Sequence, residues 1–120
     1  MLTANYKDGI IRDGSSVGSG SVLGNLKDGV IRKGNSPYPG NGDAQGNVKN
    51  DVIRKGNSPY PGNGDAILNI KGGVVRAGTS PYPGNGDQKG AVTDFSIKGM
   101  DRELDSEMVA AYHFLVKKIV

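Results

Sequence analysis

Four arginines recur at one position of a repeated segment, and together they could bind an anion. They are Arg12, Arg32, Arg54 and Arg76, at steps of 20, 22 and 22 residues. Guanidinium groups bind carboxylate and phosphate in bidentate geometry, so arginines facing a common axis would form an anion site. Alternatively, each arginine lays its stem over a sheet and pairs with a loop carbonyl or an acid. Three recurring acids are available: Asp43, Asp65 and Asp87. The sequence favours this second, structural interpretation.

A second repeated group consists of tyrosines between prolines. Its members are Tyr38, Tyr60 and Tyr82, each within a Ser-Pro-Tyr-Pro-Gly-Asn-Gly-Asp segment. Proline fixes φ, and Pro-Gly and Asn-Gly favour tight turns, so these loops are predicted to be stiff. Exposed rings with Asn and Asp nearby would form shallow, equivalent sites for a glycan or another polymer. Buried rings would instead wedge between neighbouring units, with each Asp capping backbone N–H groups. Only 6% of the residues are aromatic, which favours the wedge.

Other chemistry finds little support in the composition. The chain has no cysteine, which removes thiol nucleophiles and thiolate metal sites. Gly-Asn-Gly-Asp resembles half of a calcium-binding repeat, but each loop offers one carboxylate, whereas calcium takes six to eight oxygen ligands. We therefore expect no metal and no cofactor. An enzyme alternative is a small hydrolase or transferase that uses Glu107 or His113 as a base in a cleft between the hairpins and a C-terminal helix. Repetition of the distinctive residues argues against it, because an active site needs one asymmetric constellation.

The elements that carry these residues are predicted to be β-hairpins. Four units fill residues 5 to 90, and each reads Asn-apolar-Lys, a two-residue turn, then a β-branched pair and Arg. Asp8-Gly9 and Asp28-Gly29 favour type I′ turns, in which both central residues have positive φ. One hairpin cannot be stable alone, so the hairpins must pack on one another. Residues 91–95 are predicted to begin a fifth strand that closes the array against the first.

The repeated Asn-apolar-Lys-Asp-Gly-Val-Ile-Arg-Lys-Gly-Asn-Ser segment resembles the bacterial four-fold beta-flower proteins over residues 5 to 100. The resemblance implies β-hairpin petals about a pseudo-four-fold axis, and it implies no activity. The first unit is two residues shorter and lacks Ser-Pro-Tyr-Pro-Gly, which departs from four-fold symmetry. The expected fold is all-β with one C-terminal α-helix: four tandem hairpins in residues 1–100 and an amphipathic helix in residues 101–120.

The predicted helix has an apolar stripe at steps of three and four residues: Leu104, Met108, Tyr112, Leu115 and Ile119. Part of this stripe should cover an open end of the β array. Val109, Phe114 and Val116 widen it, which favours a homo-oligomer formed through the helix.

The charge and hydropathy of the chain bear on partners. A formal charge of +3 is too small to indicate nucleic acid, and no apolar run is long enough to span a membrane. The absence of a signal-peptide pattern predicts a cytoplasmic protein. The sequence thus favours a structural or binding module over an enzyme, with a glycan or a small anion as candidate ligands.

Overall fold

The fold is a nine-stranded antiparallel sheet in which the strands lie in chain order, with one C-terminal helix. It is seen in a computed structural model that describes residues 3–100 and 104–120. The strands are β1 (Ala4–Lys7), β2 (Ile10–Asp13), β3 (Ser21–Lys27), β4 (Val30–Lys33), β5 (Asp43–Lys49), β6 (Val52–Lys55), β7 (Asp65–Lys71), β8 (Val74–Ala77) and β9 (Asp87–Ala91). The predicted β-hairpin fold with a C-terminal helix is confirmed at this level.

Two-residue turns connect the strands of each hairpin. In the second hairpin Asp28 has φ of 52° and Gly29 has φ of 79°, which is the left-handed pair that a type I′ turn requires. Asn50 and Asp51 fill the same two positions in the third hairpin, with φ of 54° and 62°. The predicted turns are therefore present.

Both members of the β-branched pair are buried, on opposite faces of the sheet. Ile31 is fully buried in the main core, where it lies opposite Leu26 across the β3–β4 pair. Val30 points to the other face and is only 1% exposed, although it lies outside the main core. We call these the inner face and the outer face. The inner face packs on the C-terminal segment, and the outer face carries the loops between hairpins.

A register shift marks the same point in each connection between hairpins. Ile31 pairs with Gly46 and Arg32 with Ala44, so one residue of β5 is left without a partner. A Cβ on Gly46 would stand 2.4 Å from a ring carbon of Phe114. Glycine at this bulge therefore makes room for an aromatic side chain from the C-terminal segment.

The C-terminal helix is shorter than predicted and more deeply enclosed. Helix α1 spans Asp105–Ala111, a wider π-helical turn spans Tyr112–Val116, and residues 117–120 are not helical. Residues 101–103 of the predicted helix lie outside the described residues. Val109, Ala110 and Ala111 are fully buried, and α1 packs on β5 and β6. The described helices include none long and apolar enough to cross a membrane.

The contact that protects the edge of β1 differs from the predicted one. Residues 92–95 form a 3₁₀ turn and not a strand, because β9 has already ended at Ala91. The contact is made by the backbone of Lys98. Tyr6 donates its N–H to the Lys98 carbonyl at 2.7 Å, and the Lys98 N–H donates to the Ala4 carbonyl at 3.0 Å. The free edge of β1 is thereby covered.

Two turn glycines give a matched test of the hairpin geometry. Gly29 and Gly73 have φ of 79° and 77°, but a Cβ on Gly29 would meet the Val48 carbonyl oxygen at 2.9 Å, whereas Gly73 has open space. Gly73→Ala should cost about 1 kcal/mol from the left-handed backbone alone. Gly29→Ala should cost about 1 kcal/mol more, because the neighbouring strand must move. Urea melts measure both, and equal losses would contradict the tight packing of successive hairpins.

Candidate functional site

The three repeated tyrosines are exposed at the tips of the loops that follow β4, β6 and β8. We call residues 34–42, 56–64 and 78–86 the tyrosine loops. Tyr38, Tyr60 and Tyr82 are 68%, 69% and 70% exposed. The prediction that they wedge between hairpins is therefore wrong. The prolines that follow the rings make the contact with the preceding hairpins instead: Pro39 lies against Gly9 and Pro61 against Gly29.

Serine and asparagine side chains hold each loop in shape. In the second tyrosine loop the Ser58 hydroxyl accepts the Tyr60 N–H at 3.1 Å and an Asn63 side-chain N–H at 3.2 Å. The other two loops repeat both bonds within 0.1 Å. The backbone at each tyrosine is thus fixed by a local hydrogen bond as well as by flanking prolines.

Buried asparagines fasten the loops to the sheet, and the sequence reasoning missed their role. Asn47 of β5 is fully buried; its side chain donates to the Asn63 carbonyl at 2.7 Å and accepts the Gly62 N–H at 2.8 Å. Asn25 and Asn69 make the corresponding bonds in the other tyrosine loops. Asn recurs at this strand position in every unit, and this recurrence was the feature of the sequence from which the role could have been predicted.

Asn5 makes the corresponding contact in the first hairpin, whose loop has no tyrosine. Its side chain accepts the Gly18 N–H at 2.9 Å and donates to the carbonyls of Gly14 and Ser19. The fastening therefore does not depend on the Ser-Pro-Tyr-Pro-Gly segment. The tyrosine and its prolines are an addition to a loop that is already held.

The arginines follow the structural interpretation in the three hairpins where a bond is seen. Arg12, Arg54 and Arg76 each donate from Nη1 to a loop carbonyl at 3.1 to 3.2 Å. The acceptors are the glycines near the end of each loop: Gly20, Gly64 and Gly86. Nε of Arg54 is buried and has no partner. All four arginines, Arg32 included, are half-buried.

The aspartates begin the strands that follow the tyrosine loops. Asp43, Asp65 and Asp87 are exposed, and among the residues described their side chains make no hydrogen bond to loop backbone. The expected Asp caps are therefore wrong, since the serine hydroxyls and the strand asparagines occupy that role. The carboxylates stay accessible to solvent.

One groove brings members of these groups together between consecutive tyrosine loops. It is open, has a volume of 460 Å³, and is lined by Arg32, Asp43, Asn57 and Pro59 among others. A guanidinium, a carboxylate and an amide thus line one shallow surface. Such a surface can donate and accept hydrogen bonds on a ligand that lies across two loops.

The cavity beside the start of α1 does not contain the residues of the enzyme alternative. That cavity measures 480 Å³ and is lined by Asp51, Lys71, Asp105 and Ser106 among others. The Ser106 hydroxyl donates to the Asp51 carboxylate at 2.7 Å. Neither Glu107 nor His113 lines the cavity. Burial raises the pKa of Glu107, and the nearby charges of Asp51 and Asp105 add to this. These interactions are explained by packing of α1 on the sheet.

His113 is a packed residue of the π-helical turn. It is 5% exposed, and Nδ1 accepts the Ile119 N–H at 2.9 Å. Burial lowers the pKa of His113, and the positive charges of Lys118 and Lys55 lower it further. The imidazole is therefore held neutral in the folded chain near pH 7.

Apolar residues that favoured an oligomer are largely covered within the chain. Val109 is fully buried, and Phe114 and Val116 are partly buried against the core. Among the residues that the structure describes, no cluster of three His, Cys, Asp or Glu could hold a metal ion. A scan against protein-family models and searches of curated proteins and solved structures found no match.

Proposed function

We propose that this protein is a non-enzymatic, multivalent binding module for a hydroxyl-rich polymer such as a glycan chain. The observation that carries the proposal is the exposure of Tyr38, Tyr60 and Tyr82, each about two-thirds exposed or more, on loops fixed by hydrogen bonds. Large aromatic rings are normally buried, so three rings held in water at equivalent positions need a reason. Contact with a ligand supplies one.

The chemistry of the loops suits a ligand with alternating apolar and hydroxyl surfaces. A tyrosine ring offers an apolar face for stacking and a hydroxyl for hydrogen bonding. The groove between the first two tyrosine loops adds Arg32, Asp43 and Asn57, which supply both donors and acceptors. A rigid loop loses little conformational entropy on binding, which favours affinity at a shallow site.

The proposed arrangement places the hairpins as petals about a pseudo-four-fold axis, with a tyrosine loop on three of them. The segments from Val30 to Ala44 and from Val52 to Ala66, each a strand with its tyrosine loop, are identical in sequence, which supports equivalent loop sites. Each site alone would be weak. A polymer that reaches two or three of them would gain avidity without any new contact.

Alanine variants of the tyrosines test this function directly. The triple variant Tyr38→Ala, Tyr60→Ala, Tyr82→Ala should keep its melting midpoint, because exposed side chains contribute little to stability. Retention on a panel of immobilised polysaccharides should fall by about 100-fold or more for the polymer that binds, since avidity is lost at every site. Each single variant should lose a smaller part of the retention, and the loss should be similar at the three positions.

The control is the matching set of Tyr→Phe variants, which keep the ring and its stacking surface. These should retain most of the binding. Failure of the unaltered protein to bind any polysaccharide, or unchanged retention of the triple alanine variant, would reject the proposal. A large drop in melting midpoint would show that the rings contribute to the fold.

A further inference from the structure

A separate cavity lies where the end of the chain crosses the inner side of the sheet. It measures 310 Å³, and its polar lining consists of Gln45, Lys55, His113 and Lys118. Gln45 is the residue that the β4–β5 register shift leaves unpaired, and Ile67 holds the corresponding position in β7 and lines the same cavity. Two bulges and the C-terminal segment therefore build this site together. It shares no lining residue with the groove between the tyrosine loops.

The hydrogen bond at Nδ1 of His113 determines what the ring can offer to the cavity. Nδ1 accepts the Ile119 N–H, so in the neutral ring the proton is on Nε2. Within the described ranges 3–100 and 104–120, Nε2 makes no hydrogen bond to a protein group, and it is not sealed from solvent, because Arg54 Nε is the buried side-chain atom left without a partner there. An imidazole that is 95% buried and lines the cavity thus keeps one hydrogen-bond donor that a ligand or a water molecule can reach.

The charged side chains around this donor are both positive, and Val120, the last residue of the given sequence, lines the same cavity. Lys55 comes from β6 and Lys118 follows the π-helical turn, and both line the cavity. Both are close enough to disfavour a positive charge on the imidazole. Gln45 adds an amide that can donate as well. Two ammonium groups, an imidazole N–H and an amide therefore line one small cavity, and the residues lining it include no carboxylate side chain.

We propose that this cavity binds a small oxyanion, either a carboxylate or a phosphate group, between Lys55, Lys118 and the Nε2–H of His113. An anion would offset the repulsion between the two lysines and accept the proton that His113 leaves unpaired. The apolar wall formed by Ile67 and Phe114 limits the space to a small group or to the charged end of a larger ligand.

The test uses His113 itself as the reporter, because it is the only histidine in the chain. Inorganic phosphate and acetate are titrated in separate series into the full chain at pH 7, with ionic strength held constant by sodium chloride. The ring resonances of His113 should shift and saturate with at least one anion. The pKa of His113 should rise in the saturated state, since a bound anion stabilises the imidazolium. Tighter binding of phosphate than of acetate would assign a phosphate group, and the reverse order would assign a carboxylate.

Lysine variants distinguish anion binding in this cavity from a general effect of salt on the charged surface. Lys118→Ala and Lys55→Ala should each weaken binding by about tenfold, as expected for loss of one charge-assisted hydrogen bond. Lys117→Ala is the matched control, because Lys117 is exposed beside Lys118 and does not line the cavity; it should leave binding unchanged. All three positions are exposed, so the variants should fold. Shifts that do not saturate, or equal effects of Lys117→Ala and Lys118→Ala, would overturn the proposal.

Discussion

A chain that ends at Met100 should lose cooperative thermal unfolding. Removing the C-terminal segment exposes the inner face of the sheet, where Ile31 and Ile53 are fully buried. It also removes Val109, which is itself fully buried. Each such aliphatic side chain stabilises a fold by about 1.5–3 kcal/mol, and a small domain has only about 5–15 kcal/mol in total. Circular dichroism melts and size-exclusion chromatography would show a broad transition and aggregation.

A pair of point variants controls for the length of the deletion. Val109→Asp places an unpaired charge in the core and should reproduce the loss, whereas Lys117→Asp changes the charge at an exposed position of the same segment and should be nearly neutral. If the shortened chain stays monomeric with an unchanged midpoint, the helix does not complete the core, and our account of its packing is wrong.

Asn47→Ala should destabilise the protein by about 3 kcal/mol. The substitution leaves the Gly62 N–H and the Asn63 carbonyl without their partner in a part-buried contact. Each unsatisfied buried group costs about 1–3 kcal/mol, less whatever water can recover. The same change should release the second tyrosine loop. Denaturant melts give the first effect, and limited proteolysis near Tyr60 gives the second.

Asn57→Ala is the matched control, because Asn57 is an exposed asparagine of the same loop. It should change stability by less than about 0.5 kcal/mol. Asn47→Asp tests the direction of the bonds, since a carboxylate keeps the acceptor for Gly62 but loses the donor to Asn63 and buries a charge. A neutral result for both Asn47 variants would mean that proline and serine alone hold the loop.

The sequence predicted the parts of the fold that depend on neighbouring residues. Asp28-Gly29 specifies its turn within four residues, and the flanking β-branched pairs specify short strands. The role of Asn47 could not be predicted in this way, because its partners lie 15 and 16 residues further along and nothing local identifies them. Gln45 became part of a cavity only because a bulge leaves it unpaired.

The tyrosines show a different limit of prediction. The small number of aromatic residues suggested that the fold needs all of them in its core. That argument assumes that aromatic residues must fill the buried positions. In the structure, β-branched residues fill buried positions on both faces of the hairpins. The loop that carries Tyr60 is held by Asn47 and Ser58, whose contacts composition does not reveal.

The identity of residues 30–44 and 52–66 bears on how the chain finds its arrangement during synthesis. A C-terminal segment placed one hairpin further along the sheet would meet a strand and loop of the same sequence. The alternatives differ at the C-terminal segment, where Phe114 and Leu115 fit over Gly46 and Gly24, while the next position along is occupied by Leu68. These side chains leave the ribosome after all four hairpins. The hairpins can therefore form as the chain emerges, whereas the placement of the C-terminal segment over them must wait for the last part of the chain.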